Sequence, residues 1–264
     1  MNISTYTIMA VACITGASSG IGKEFAKRLS KRGFSLILIA RNTSAMEELA
    51  AALPTSCEII TCDLSDVCKA RKLGDSLRSR KISMLINNAG FGDVGPFMES
   101  DLDKELSMID VNIKALHILT KAVLPWMVQQ DSGYILNVAS SAGLMPGGPY
   151  MSAYYATKAY VTSLTSAIYE ELREINSNVH ISMLCPGPVN TNFNNTANVK
   201  FALSGISAEY CVDYCLRQMA RGKLNIVPTP LMKLAVIAGR FMPRKMLLPV
   251  TARQQRKKIS YHSK

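Results

Sequence analysis

The stretch Thr15-Gly16-Ala17-Ser18-Ser19-Gly20-Ile21-Gly22 constrains the fold of this chain more than any other. It follows a short, nearly continuous apolar run, residues 9–15, and precedes a helical pattern over residues 23–31. An apolar run of that length reads as a strand buried on both faces, as in a parallel sheet. The glycines, spaced Gly-x-x-x-Gly-x-Gly, permit a tight turn and a close approach of backbone. The helix after them opens with unpaired N–H groups and the positive end of its dipole, a seat for a pyrophosphate. A plain strand-to-helix turn needs neither the three glycines nor the two serines.

Further apolar runs recur at residues 34–40, 57–62, 82–87, 133–139, 179–185 and 224–227. Helical patterns separate them over residues 69–81, 101–129, from about Tyr154 to Ile175, and 208–221. Strands alternating with helices predict an α/β fold, a doubly wound parallel sheet of about seven strands with helices on both faces. The chain of 264 residues, 48% hydrophobic, can fill one such core. No internal repeat and no second domain are expected.

Two residues on the fourth helical pattern suggest proton chemistry. Tyr154 and Lys158 are four apart, which puts both on one face of a helix, one turn from each other. A free phenol, with a pKa near 10, is a poor acid or base at neutral pH. A fixed ammonium beside it would favour the phenolate and lower that value. Arg41 follows the second strand, where dinucleotide folds place an acid on the ribose 2′-hydroxyl or a base near a 2′-phosphate. Ala40 stands at the acidic position and Arg41 supplies a cation, which favours NADP over NAD; a solvated Arg opening a loop is the plainer alternative.

Cysteines and charge exclude other classes. Seven cysteines, an odd and scattered number, fit a reducing interior better than a disulfide scaffold. Cys211 and Cys215 share a helix face, but no His or further Cys joins them, so no metal is expected. The net charge of +11 lies at one end: the last 51 residues hold 12 Lys and Arg and no acid, and the first 213 hold 18 against 19 acids. This argues against a nucleic-acid enzyme with a basic active face and points to one basic appendage. No signal peptide and no membrane span is read, so a cytoplasmic location is expected.

The segment 15–22 and the Tyr154-x-x-x-Lys158 pair resemble the cofactor loop and active site of the short-chain dehydrogenase/reductase family, classical type. Gly22 and Tyr154 lie 132 positions apart, close to the spacing usual there. Asn87-Asn88-Ala89-Gly90 and Pro186-Gly187-Pro188-Val189-Asn190-Thr191 resemble two further motifs of that family. The resemblance spans about residues 11–227. It implies a dinucleotide cofactor held by Gly16, Ser18, Ser19, Gly20, Ile21 and Gly22, with Asp63 and Leu64 at the adenine. Asn88, Ala89 and Gly90 would line the cofactor, Asn87 would brace the sheet, and Val189 and Thr191 would sit on the nicotinamide. It further implies that Tyr154 is the general acid/base and that Lys158 holds the ribose. Ser140 would bond the substrate oxygen, and Asn112 would support the proton relay through a water. Together these imply an NADP(H)-dependent oxidoreductase interconverting an alcohol and a carbonyl, as a homodimer or homotetramer. A catalytically inactive NADP-binding sensor or scaffold is the alternative; such proteins tend to lose the Tyr or the Lys, and both are present.

One spacing departs from the family. Twelve residues usually separate the serine and the tyrosine; here thirteen follow Ser140 and twelve follow Ser141. Ser140 is expected to be the working serine, because the preceding strand sets the face on which the chain emerges and because Ser140 and Gly143 complete a Ser-x-x-Gly. The extra residue would then be absorbed in Met145-Pro146-Gly147-Gly148-Pro149. Segments 91–98, 144–151 and 193–206 should surround the substrate. Their Phe91, Phe97, Met145, Tyr150, Met151, Phe193 and Phe201 suit a bulky apolar molecule such as a steroid or fatty acyl ketone, or else only pack the loops.

Residues 1–228 thus read as a dinucleotide-binding catalytic domain and 229–264 as an appendage: an apolar helix, 231–242, and a basic tail. Pro230 and Pro243 bound that helix, which is too short to span a membrane. Arg244, Lys245, Arg253, Arg256, Lys257, Lys258 and Lys264 follow. This pattern suits an anionic membrane surface, with a dimer contact, a lid or a solvated tail left open.

Overall fold

The structure, a computed structural model, describes residues 10–191 and 205–259. Its centre is a parallel sheet of seven strands in the order β3-β2-β1-β4-β5-β6-β9. These are β1 (Val11–Thr15), β2 (Ser35–Ala40), β3 (Cys57–Thr61), β4 (Ile82–Asn87), β5 (Gly133–Val138), β6 (Val179–Leu184) and β9 (Asn225–Ile226). A separate parallel pair joins β7 (Val189–Asn190) to β8 (Ile206–Ser207).

Each central strand is apolar on both faces because both faces are covered. In β2, Leu36 and Leu38 join one core cluster while Ile37 and Ile39 join the other, the period of two expected of a pleated strand. The first cluster is closed by Phe25 and Leu29 of α1 (Gly20–Ser30), Met46 of α2 (Thr43–Ala51) and Leu216 of α7 (Ala208–Met219). Leu73 and Leu77 of α3 (Val67–Arg78), Leu119 and Met127 of α5 (Leu116–Gln129) and Leu172 of α6 (Ser152–Glu174) close the second. Cys211 and Cys215 are buried in the first cluster, packed as small apolar groups.

From β1 the chain winds outward to β3, then crosses back to β4 on the other side of β1. The crevice between the carboxyl ends of β1 and β4 is therefore a topological switch point, where open α/β sheets bind ligands. Buried amides brace the strands beside it. Asn87 Nδ2 donates to Thr120 Oγ1 and to Asn137 Oδ1, both at 2.9 Å, and Asn137 Nδ2 donates to Thr165 Oγ1 at 2.9 Å.

Three local features depart from expectation. Helix α2 occupies a stretch with no helical pattern assigned; Asn42 caps it by accepting from the Ala45 N–H. The single helix expected over 101–129 consists of α4 (Leu102–Ile109), a π-helical turn (Asp110–Ala115) and α5. Residues 244–259, expected as a tail, form α9 (Arg244–Ile259), which follows α8 (Pro230–Phe241). Proline fits the start of α8, where its missing N–H is not needed.

Candidate active site

The glycine loop closes the switch point. Gly16 and Gly20 have φ of 65° and 53°, backbone that side chains rarely adopt. A Cβ on Gly22 would collide with the Gly16 carbonyl oxygen and come within 2.6 Å of Asn88 Nδ2. The loop is laced to the end of β4: Thr15 Oγ1 accepts from the N–H groups of Asn88 and Ala89, each at 3.0 Å. Asn88 Nδ2 in turn donates to the carbonyls of Thr15 (2.9 Å) and Gly16 (3.2 Å). Ser19 caps α1 without a side-chain hydrogen bond to its first turn. A cradle of tightly approached backbone with an uncapped helix start fits the pyrophosphate of a dinucleotide. Thr191 lies against it, 3.2 Å from where a Gly20 Cβ would stand.

At the rim, Arg41 is exposed and makes no hydrogen bond or ion pair with the described residues. Asp63 accepts from the N–H (3.0 Å) and hydroxyl (2.8 Å) of Ser65. Those bonds and, less strongly, the charge of Arg41 hold its carboxyl below the ordinary carboxylate range.

Deeper in, β5 delivers Ser140 to its carboxyl end, where it caps the short 3-10 turn Ser141–Leu144. Ser140 Oγ accepts from the Ala142 N–H at 3.1 Å, and its hydroxyl favours ionisation of the Tyr154 phenol. Tyr154 and Lys158 are both buried on α6, one turn apart. Lys158 Nζ donates to the Val138 carbonyl at 2.9 Å and lies 5.9 Å from the Tyr154 ring centre.

The electrostatics differ from expectation. Burial pushes the Tyr154 phenol up to about 12, with the Ser140 hydroxyl acting in the opposite direction. Burial also lowers the Lys158 ammonium to about 8. The expected lowering of the phenol by Lys158 is thus overturned for the protein alone. Both groups are buried, where desolvation disfavours each charged form, and the ammonium is turned toward Val138 O.

Asn112 lies in the π-helical turn, a geometry frequent at functional sites. Its Oδ1 accepts from the Phe91 N–H at 3.1 Å, and its Nδ2 donates to Phe91 O (2.9 Å) and Thr157 Oγ1 (3.0 Å). A Cβ on Gly90 would stand 2.9 Å from Asn112 Oδ1 and 3.2 Å from Lys158 Nζ, so Gly90 is the point where both meet the segment that follows β4.

A cavity of about 870 Å³ joins these parts. Every predicted site residue except Gly22 and Asn112 borders it; those two stand just behind its wall. Phe91, Met145 and Met151 line it as expected of the substrate side. Phe97 does not, being exposed on a 3-10 turn. Tyr150 does not either: at φ 66° it is turned so that its hydroxyl accepts from Arg256 Nε at 3.2 Å. Phe193 and Phe201 lie outside the described residues. The far wall comes from the C-terminal segment, with Leu231, Met232 and Ala235 of α8 and Leu247, Thr251 and Gln255 of α9. Gln255 Nε2 donates to the Tyr155 hydroxyl at 2.6 Å. The spacing Leu247, Thr251, Gln255, one residue per turn, was the available signal for this inward stripe.

Residues 10–201 match the family model of the short chain dehydrogenases. A very-long-chain 3-oxoacyl-CoA reductase of Laccaria bicolor is 38% identical over 178 residues, covering 64% of this chain and 52% of its own length. The chain therefore spans about half of that curated relative. A solved short-chain dehydrogenase from Sphingobium yanoikuyae in complex with NADPH superposes with a TM-score of 0.80 at 30% identity, over 88% of this chain and 93% of that one. A solved short-chain dehydrogenase/reductase from Burkholderia phymatum in complex with NAD gives 0.78 at 25% identity, over 88% and 94%. The matched model, the sheet order and the glycine cradle agree: the chain belongs to the short-chain dehydrogenase/reductase family of oxidoreductases.

Proposed function

We propose that this oxidoreductase uses NADP(H) to interconvert an alcohol and a carbonyl on a bulky apolar substrate, with Tyr154 as general acid and base. One observation carries the reading. Ser140 and Tyr154 border the same cavity as the glycine cradle, with Lys158 one turn along α6.

Gly16 to Gly22 would hold the pyrophosphate, Asp63 and Leu64 the adenine, and Asn88 to Gly90, Val189 and Thr191 the nicotinamide half. Arg41, exposed and unpaired among the described residues at the cavity rim, suits a 2′-phosphate, which is why NADP is preferred here to NAD. When bound, the cofactor supplies the hydride. The chain's own residues handle the proton. Ser140 donates to the substrate oxygen and orients it. Tyr154, protonated across neutral pH with its phenol at about 12, gives its proton to that oxygen during reduction. The phenolate left behind is stabilised by the ammonium of Lys158. Asn112 fixes the Gly90–Phe91 loop against Lys158 and so supports reprotonation.

The apolar substrate rests on the cavity walls and on the Laccaria relative, named as a very-long-chain 3-oxoacyl-CoA reductase. The same reading includes a homodimer or homotetramer in the cytoplasm, with the basic C-terminal segment in peripheral contact with membrane. A panel assay following NADPH absorbance over steroid, acyl, sugar and quinone carbonyls tests it. Turnover of apolar ketones is expected. Turnover confined to sugars would remove the substrate class, and NADPH binding without any turnover would restore the inactive sensor.

A further inference from the structure

We propose that the outward face of α8, with the start of α9, docks on an anionic lipid bilayer and opens the substrate chamber toward it. The proposal rests on the apolar-substrate reading and adds where such a substrate is collected. Leu231, Leu234, Ile237 and Phe241 recur at three- and four-residue steps, which places them on one face of α8. They are 54% to 84% exposed, a contiguous run of large apolar side chains beyond what a solvated helix presents. The opposite face is spoken for: Val236 is buried and Met232 packs beneath Cys185 and Val227.

Charge selects the occupant. Arg240 of α8 and Arg244, Lys245 and Arg253 of α9 are all exposed. From Tyr214 to the end of the sequence there are 12 Lys and Arg and no Asp or Glu. An exposed apolar face in a segment whose charged residues are all cations matches a bilayer with anionic headgroups, which attracts each added cation and accepts the apolar side chains below the headgroups. No helix among the described residues is long and apolar enough to cross a membrane, so α8 would lie along the surface.

The chamber points the same way. Leu231 and Val250 border the cavity and are also exposed, so they stand at its rim, and Leu231 is itself part of the docking face. An apolar ketone dissolved in the bilayer could enter past them without crossing water.

The test uses the full chain and vesicles of phosphatidylcholine with or without about a third phosphatidylserine. Wild type should sediment with the anionic vesicles, less so as salt rises, and weakly with the neutral ones. The double variant L234D/F241D, altered at exposed positions outside the cavity, should bind anionic vesicles about tenfold or more weakly. Its NADPH-dependent rate on a water-soluble ketone should be unchanged, while its rate on a ketone carried in vesicles falls. Failure of wild type to sediment with anionic vesicles overturns the proposal, as does equal binding by the variant. If light scattering shows the variant losing a dimer that wild type forms, and wild type ignores vesicles, the face belongs to a second copy. Loss of turnover on every ketone with vesicle binding intact would count against the enzymatic reading alone.

Discussion

Replacing Ser140 by alanine separates two jobs of one hydroxyl. Ser140 Oγ caps the 3-10 turn through the Ala142 N–H at 3.1 Å, and in the proposed reaction it donates to the substrate oxygen. The cap should contribute about 1 kcal/mol of stability. Its loss lowers Tm by about 2–4 °C for a domain of this size. The bond Ser140 donates to the substrate oxygen becomes charge-assisted as negative charge develops there, worth about 2 kcal/mol. That corresponds to about thirtyfold in kcat/KM. Ser141 should behave otherwise. Its N–H donates to Pro186 O at 2.9 Å, a bond that alanine keeps. Ser141→Ala should therefore cost less than about threefold in rate and leave Tm within about 2 °C of wild type. The assay is NADPH oxidation at saturating cofactor, with NADPH affinity from fluorescence and Tm from a thermal melt as controls. If Ser141→Ala loses more activity than Ser140→Ala, with both variants folded and binding NADPH normally, the proton relay runs through Ser141 and the account of this turn is wrong.

Other expectations follow from the same geometry. Arg41→Asp should weaken NADPH binding far more than NADH binding, since a carboxylate would face the 2′-phosphate; equal affinities for the two cofactors in wild type would refute the assignment. Gly22→Ala places a methyl on the Gly16 carbonyl oxygen, backbone that cannot yield as a side chain can, so it should abolish dinucleotide binding in a fluorescence titration and destabilise the fold by about 1–3 kcal/mol. Lys158 provides a pH-linked test. Its pKa falls from 10.5 to about 8 on folding, so its burial opposes folding in full below about 8 and ceases to do so above the unfolded value. Lys158→Met removes a penalty of about 3 kcal/mol and a bond to Val138 O of about 1 kcal/mol. The inactive variant should thus be more stable than wild type in urea at neutral pH by about 2 kcal/mol, and the gap should close on raising the pH through the interval from about 8 to 10.5. A gap independent of pH would refute the buried ammonium.

The fold was legible because its signals are local. β4, an apolar run ending in Asn87, was delimited to the residue, and Gly16 to Gly22 announced the switch point by composition alone. What escaped depends on contacts between distant segments. Helix α2 has a weak apolar face, and only its Asn42 cap marked it. Pro249 inside α9 and the run of cations after it disguised a helix whose inward stripe needs the cavity to explain it. Phe97 and Met145 look alike in sequence as apolar loop residues, yet one is exposed and the other walls the chamber. The spacing pairs Tyr154 with Lys158; that burial raises the phenol and lowers the ammonium depends on how the surrounding elements pack.

The central claim is that Tyr154 delivers the proton in an NADPH-linked reduction. It is tested most directly by mixing NADPH-loaded wild type, Tyr154→Phe and Tyr155→Phe with an apolar ketone and following one turnover of NADPH absorbance. Tyr154→Phe keeps the ring and should slow the step by about a hundredfold or more at unchanged NADPH affinity. Tyr155→Phe, which loses only the bond to Gln255, should stay within about tenfold of wild type. Full-rate turnover by Tyr154→Phe would contradict the account, most decisively if Tyr155→Phe were the dead variant.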